Sequence, residues 1–167
     1  MNIYLIGFMG TGKTTVGKIL AKKLGKKFYD LDELIEKKVG KTIRDIFIDD
    51  GEEQFRKIET EVLKDVAAGR DYVIATGGGL LTTVGNYEVM KESGVVITLA
   101  ASAESIYERL KDDKSRPLLM VDNVIDEIKR LMFERAPLYI KADYIVDTSD
   151  VPPEKVVDEI MEFLDEL

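Results

Sequence analysis

Short apolar runs alternate with stretches of helical periodicity along the chain. The runs Ile3–Ile6, Lys27–Asp30, Tyr72–Ala75, Val95–Leu99 and Tyr144–Asp147 predict β-strands. Between and after them the spacing predicts helices over Lys13–Leu24, Leu31–Lys38, Thr42–Asp49, Glu52–Ala68, Thr83–Ser93, Ala103–Leu110, Asn123–Arg135 and Pro153–Leu167. In Glu52–Ala68, residues Phe55, Ile58, Val62 and Val66 recur at spacings of three or four and form one apolar face. Val156, Val157, Ile160, Phe163 and Leu164 do the same in the last helix. Thr42-Ile43-Arg44-Asp45 is a passable capping sequence, and Gly40 and Gly51 bound the helix that it opens. Strands that alternate with helices imply parallel pairing and right-handed crossovers. The expectation is one three-layer α/β domain with about five parallel strands, which suits a chain of 167 residues. One stretch, "KDDKSRPLL" from Lys111 to Leu119, follows neither period; charged and proline-bearing, it is expected to be a surface loop.

Composition narrows the chemistry. The chain holds 24 Lys and Arg against 32 Asp and Glu, a net charge of −8, which disfavours nonspecific binding to nucleic acid or anionic membranes. It has no Cys and no His. Thiol catalysis, disulfides and zinc-thiolate sites are therefore excluded, and a general base must be a carboxylate, Lys or Tyr. A bound metal must be a hard, oxygen-liganded ion such as magnesium. The start "MNIYLIG" lacks a basic segment followed by a long apolar core, and no apolar run approaches the ~20 residues that span a bilayer. A cytoplasmic protein is the expectation.

The segment "GFMGTGKTT", Gly7 to Thr15, fits G-x-x-x-x-G-K-[ST], with Gly7, Gly12, Lys13 and Thr14 in the fixed positions. Such a loop turns backbone N–H groups toward phosphate oxygens, and the helix that follows adds the positive end of its dipole. Lys13 can reach the β- and γ-phosphates, and the Thr14 hydroxyl can ligate magnesium. The segment follows a strand and opens a helix, the context that the motif demands. The guanine-reading N-K-x-D of GTPases is missing, and the apolar strand "YVIA" ends in Thr76 and glycines rather than the aspartate of a motor or transport ATPase. A small kinase acting on a metabolite fits best.

"YDLDE" places Asp30 and Asp32 at the end of the second strand, at the sheet edge where open α/β folds bind ligands. One could hold magnesium through water, and the other could take or orient the proton of an attacking hydroxyl; helix capping is the competing role. Arg56 follows Phe55 and can pair with Glu52 or Glu59 at helical spacing, or clamp a substrate carboxylate. Arg116 lies in the patternless loop, as in a lid, and Arg135 lies at a helix end before Pro137. Gly77, Gly78 and Gly79 end a buried strand. A tight turn with positive φ accounts for one of them, and close approach of a substrate to bare backbone accounts for the others, with a β-carbon at Gly78 expected to fill substrate space.

Taken in order, "GFMGTGKTT", "FYDLDE", "IRDIFIDDGEEQFRKIE", "VIATGGG", "SRPLL", "ERAPLY" and "VDTSDVPPEKV" resemble the shikimate kinase family over nearly the whole chain. The resemblance implies a P-loop fold like that of nucleoside monophosphate kinases, with strand order 2-3-1-4-5 and a lid loop. It divides the chain into a core (1–30, 69–110, 137–167), acceptor-binding helices (about 31–68) and a lid (about 111–122). It implies transfer of the ATP γ-phosphate to the 3-hydroxyl of shikimate by a monomer. In that family Gly10, Thr11, Gly12, Lys13, Thr14 and Thr15 would cradle the nucleotide phosphates, with Lys13 and Arg116 sharing the charge of the transferring group. Asp32 would contact the ring hydroxyls and act as base, and Thr14 and Asp30 would support Mg2+. Arg56 and Arg135 would grip the carboxylate of shikimate. Gly77, Gly78 and Gly79 would line its ring, and Phe47, Phe55 and Glu59 would complete the pocket. Arg109 and Pro153 would border adenine. Gluconate kinases share the loop but expect a histidine after the aspartates. A nucleotide-dependent regulatory module would need no acceptor pocket.

Overall fold

The computed structural model describes residues 1–112 and 121–167, so Arg116 and most of the expected lid fall outside the described residues. All five apolar runs form strands: β1 (Asn2–Ile6), β2 (Lys27–Asp30), β3 (Tyr72–Ala75), β4 (Gly94–Ala100) and β5 (Tyr144–Asp147). They pair in parallel in the order β2-β3-β1-β4-β5. β1 lies at the centre, with Leu5 in register with Ala75 of β3 and Ile97 of β4. Its residues are buried throughout because helices cover both faces of the sheet.

The two-residue period of β1 sorts its side chains between those faces. Ile3 and Leu5 join the apolar cluster formed with α1 (Lys13–Leu24) and α7 (Pro153–Asp165), through Val16, Leu20, Val156 and Ile160. Tyr4 and Ile6 join the opposite cluster, with Ile35 of α2 (Leu31–Val39), Ile46 and Leu63 of α3 (Ile43–Ala67) and Met90 of α4 (Asn86–Ser93). A third, smaller cluster packs Phe8 and Met9 against α5 (Ala103–Leu110) and α6 (Val124–Tyr139). It fastens the loop after β1 to the helices beside it. Among the described residues no helix is long and apolar enough to cross a membrane.

Three helix boundaries differ from the sequence expectation by more than two residues. The Thr83–Ser93 helix starts later, at Asn86, because a 3-10 turn over Leu80–Thr82 and a left-handed Gly85 precede it. Thr42 does cap its helix, its hydroxyl accepting from the Asp45 N–H at 3.1 Å, and Gly51 does end it. The next helix follows without a loop, so the two form one bent element, α3. The helix expected to stop at Arg135 runs on to Tyr139, through Pro137. Proline here lacks only one N–H bond in the last turn, at a solvent-exposed position, and the Ile140 N–H still reaches the Ala136 carbonyl at 3.2 Å.

Because the sheet is parallel, every strand ends at the same edge. The loops after β1 and β3 are neighbours there, next to the point where the strand order reverses. The bend in α3 aims Phe55, Arg56 and Glu59 toward that edge, and it rests on Gly51, whose φ of 86° and ψ of 165° suit only glycine. Replacing Gly51 with Ala is expected to cost about 1–3 kcal/mol of stability. A urea titration against the wild type measures this, and an unchanged midpoint would show that the bend tolerates a side chain.

Candidate active site

The loop from Gly7 to Gly12 leaves β1 and opens α1. Gly7 has φ of 141°, and a β-carbon there would collide with the Leu99 carbonyl of β4. Thr11 is buried and its hydroxyl donates to the Phe8 carbonyl at 2.8 Å. Lys13 curls back over the loop: its Nζ donates to the carbonyls of Gly7 and Phe8 at 2.8 and 2.9 Å. The Thr14 hydroxyl donates to Asp30 Oδ2 at 2.7 Å, while Asp30 Oδ1 caps α2 by accepting from the N–H of Asp32 at 2.9 Å. Asp30 thus fills the capping role that its sequence left open, and it also meets the loop threonine. A polar cleft of ≈ 160 Å³ lies against Gly10, Gly12, Lys13, Thr14, Thr15 and Asp32. This is room for phosphate groups rather than for a whole nucleotide.

On the far side of the loop, Arg109 of α5 donates to the Gly10 carbonyl at 2.9 Å and to the Thr148 carbonyl at 2.8 Å. The Thr148 hydroxyl donates to the Thr11 carbonyl at 2.8 Å. Arg109 therefore ties the loop to the segment after β5, which leads through Pro152 into Pro153 at the start of α7. Thr148 did not stand out in the sequence. Its signal was its place just past the apolar β5, at the ligand-binding edge.

A second cluster lies across the cleft. Arg56 Nη1 donates to Glu59 Oε1 at 2.9 Å and Nη2 to Glu52 Oε1 at 3.2 Å. The Arg56 guanidinium also lies 5.1 Å from the centre of the Phe55 ring, which in turn packs on Phe47 at 4.8 Å. Arg135 does not end its helix: it lies one turn inside the end of α6, buried, over the Phe8 ring at 5.6 Å. Tyr139, one turn further along α6, donates its hydroxyl to the Gly78 carbonyl. The sequence stop expected at Arg135 hid this tyrosine, although its spacing of four puts it on the same helical face as Arg135.

The three glycines make room for three different neighbours. None of them has positive φ, so the turn they do make, closed by the Leu80 N–H on the Gly77 carbonyl at 3.2 Å, does not itself require glycine. A β-carbon at Gly77 would come within 2.7 Å of Glu59 Oε2 and 3.1 Å of Asp32 Oδ1. At Gly78 it would approach the Met9 backbone nitrogen to 2.9 Å, and at Gly79 it would run into the Arg56 guanidinium. The close approach at Gly78 is thus to the phosphate-loop backbone.

Among the described residues, three buried side-chain atoms lack a hydrogen-bond partner: Arg56 Nε, Arg135 Nη1 and Glu59 Oε2. All three belong to this cluster. Native proteins rarely leave such atoms unpaired, and their gathering in one place marks where a polar ligand belongs. Glu59 is fully buried, and burial pushes its carboxyl from 4.5 up to about 7, against the opposing pull of Arg56. Burial likewise pushes the Tyr139 hydroxyl up to about 12, so it stays a donor at any working pH.

A phosphate loop at the centre of a parallel 2-3-1-4-5 sheet, with a cationic pocket beside it, defines a P-loop phosphotransferase with a small anionic acceptor. The family model described as shikimate kinase matches residues 9–165. The chain is 50% identical to the shikimate kinase of Thermodesulfovibrio yellowstonii over 160 residues, 96% of this chain and 92% of that protein. With the shikimate kinase of Persephonella marina it shares 45%, covering 96% of both. It superposes with a TM-score of 0.97 on a solved shikimate kinase from Acinetobacter baumannii in complex with shikimate, at 41% identity over 99% of this chain and 93% of that one. The chain belongs to the shikimate kinase family, ATP-dependent kinases that phosphorylate a hydroxyl group.

Two outcomes follow from this geometry. Gly78→Ala is expected to displace the phosphate loop at Met9 and raise the KM for ATP at least about threefold, with about 1–3 kcal/mol of lost stability. Steady-state kinetics with each substrate varied checks it; a rise confined to the acceptor KM would put the contact with the acceptor instead. For Glu59, the folded chain holds a proton that the unfolded chain releases above 4.5, so its contribution to stability falls as pH rises from 4.5 through about 7. Glu59→Gln should remove that slope. Denaturation midpoints of both proteins from pH 5 to 8 test this, and parallel curves would refute it.

Proposed function

We propose that this chain phosphorylates the 3-hydroxyl of shikimate at the cleft between the loop after β1 and the Arg56–Arg135 cluster. The observation that carries this reading is the set of unpaired buried donors, Arg56 Nε and Arg135 Nη1, beside the carboxylates of Asp32 and Glu59. Guanidinium groups call for an anion, and carboxylates call for hydroxyls. A small ring acid with hydroxyls opposite its carboxylate satisfies both ends. The shikimate held by the Acinetobacter relative has this chemistry.

In this reading Arg56 and Arg135 fix the acceptor carboxylate. Asp32 takes the hydroxyl to be phosphorylated, orienting it and accepting its proton. Gly77, Gly78 and Gly79 leave bare backbone beside the ring, and Phe55 with Phe47 backs the pocket. The loop N–H groups from Gly10 to Thr15 and the Lys13 ammonium hold the ATP phosphates and stabilise charge that develops on the transferring group. Arg109 and Pro153 border the nucleotide base. Arg116 rests on the family resemblance alone, as does its role at the phosphates from a lid over about 111–122. The helices of about 31–68 supply most of the acceptor side, completed by Gly77, Gly78, Gly79 and Arg135, and the core (1–30, 69–110, 137–167) otherwise serves the nucleotide.

Magnesium fits the residues present. Thr14 Oγ1 and Asp30 Oδ2 are hard oxygen donors that already meet at 2.7 Å. No group of three acidic side chains suited to a metal occurs among the described residues, so phosphate and water would supply the other ligands. When bound, the ion would neutralise charge on the β- and γ-phosphates, with Thr14 holding it directly and Asp30 through water. The same reading makes the enzyme a cytoplasmic monomer that needs neither nucleic acid nor membrane.

A coupled assay of ADP release with and without shikimate tests the proposal; release indifferent to shikimate would sink it. Within it, Asp32→Asn is expected to lower kcat by roughly 10²–10⁴-fold with the KM for ATP changed less than about twofold. Unchanged turnover would remove Asp32 from the chemistry.

A further inference from the structure

We propose that Tyr139 is a positioning residue for the acceptor site, its hydroxyl tying the triple-glycine loop to the helix face that carries Arg135. The inference rests on the acceptor reading given above. Tyr139 stands four residues after Arg135 and so shares its face of α6. Its hydroxyl donates to the Gly78 carbonyl, 61 residues away in the chain. The charges of Arg135, Arg56 and Glu59 all reach that hydroxyl. One phenol oxygen thus holds the triple-glycine loop to the helix face that carries Arg135.

The tyrosine is held in turn. Its backbone carbonyl accepts from the Thr98 hydroxyl of β4 at 2.7 Å, and its ring packs with both the Leu80–Met90 side of the core and the Phe8–Ile128 cluster. The helix end that carries it is therefore anchored to the sheet. Gly78 is the residue that presses against Met9 of the phosphate loop. Holding the Gly78 carbonyl fixes the direction of the peptide between the acceptor pocket and that loop. Without the hydroxyl, the Gly78 carbonyl loses its partner, and the triple-glycine loop is no longer tied to the helix face that carries Arg135. Packing alone would be satisfied by phenylalanine, so the hydroxyl is what separates the two explanations.

The test is Tyr139→Phe, with KM for shikimate, KM for ATP, kcat and the thermal midpoint measured beside the wild type. The expected result is a rise in the shikimate KM of roughly tenfold, the size of one lost buried hydrogen bond, with the ATP KM within about twofold. Thr98→Val serves as a companion variant. It loosens the backbone end of the same residue and keeps the hydroxyl, so its shikimate KM should rise less than that of Tyr139→Phe. A shikimate KM unchanged in Tyr139→Phe would overturn the inference. So would a parallel rise in both KM values with a lowered midpoint, which is the signature of a structural role. If the wild type itself shows no shikimate-dependent ADP release, the acceptor reading fails first, and that outcome is distinct from a wild type that responds and a variant that matches it.

Discussion

The backbone of the loop after β3 runs against the backbone of the loop after β1, and the site depends on that contact. β1 and β3 are adjacent parallel strands, so their ends emerge side by side. Gly78 lets the two loops touch, at Met9, without a side chain between them. One loop carries the phosphate cradle and the other lines the second pocket. The separation of the two substrates in the proposed reaction is therefore set by strand spacing, which parallel pairing holds near 5 Å. Group transfer needs reacting atoms about 3–3.5 Å apart in a fixed direction. A rigid sheet edge meets this demand better than loops with freedom of their own.

Charge is arranged locally against the average. The chain carries a net −8, yet its second pocket is built on two arginines. Arg56 is balanced by Glu52 and Glu59, and Arg135 lies over the face of Phe8. Burying such groups is costly unless they are paired. The pairing here is incomplete by one donor on each arginine and one acceptor on Glu59. An anionic ligand with hydroxyls, as in the proposed function, would supply the bonds that these three atoms lack.

The sheet was legible from the sequence because burial on both faces writes each inner strand as an unbroken apolar run, and the edge strands were short but bounded. β3 and β5 match the expected residues, and β1 and β4 gain only terminal ones. Helix ends were less legible. Pro137 reads as a stop, but a proline near the last turn removes a single bond, and the anchored Tyr139 keeps the helix going. The start of α4 was misplaced because Gly85, left-handed with φ of 96°, breaks the helical run expected from Thr83. At the site, the phosphate loop, Asp30, Asp32, Arg56 and Arg135 could be singled out by residue type and spacing. Thr148 and Tyr139 could not, since a threonine or a tyrosine has no special meaning until something distant meets its hydroxyl.

The triple glycine marks the division between the two sources of information. The sequence by itself determined that bare backbone was required after β3, that the only base available was not histidine, and that Gly7–Thr15 has the form of a phosphate-binding loop. These follow from local rules: what a side chain excludes, what titrates, and which spacing opens a helix with free N–H groups. Only the tertiary structure decided what the glycines made room for. Their neighbours, Glu59 with Asp32, Met9 and Arg56, come from three separate segments. Contacts of that kind are fixed by the strand order and by the bend at Gly51, and neither is a property of the residues that meet.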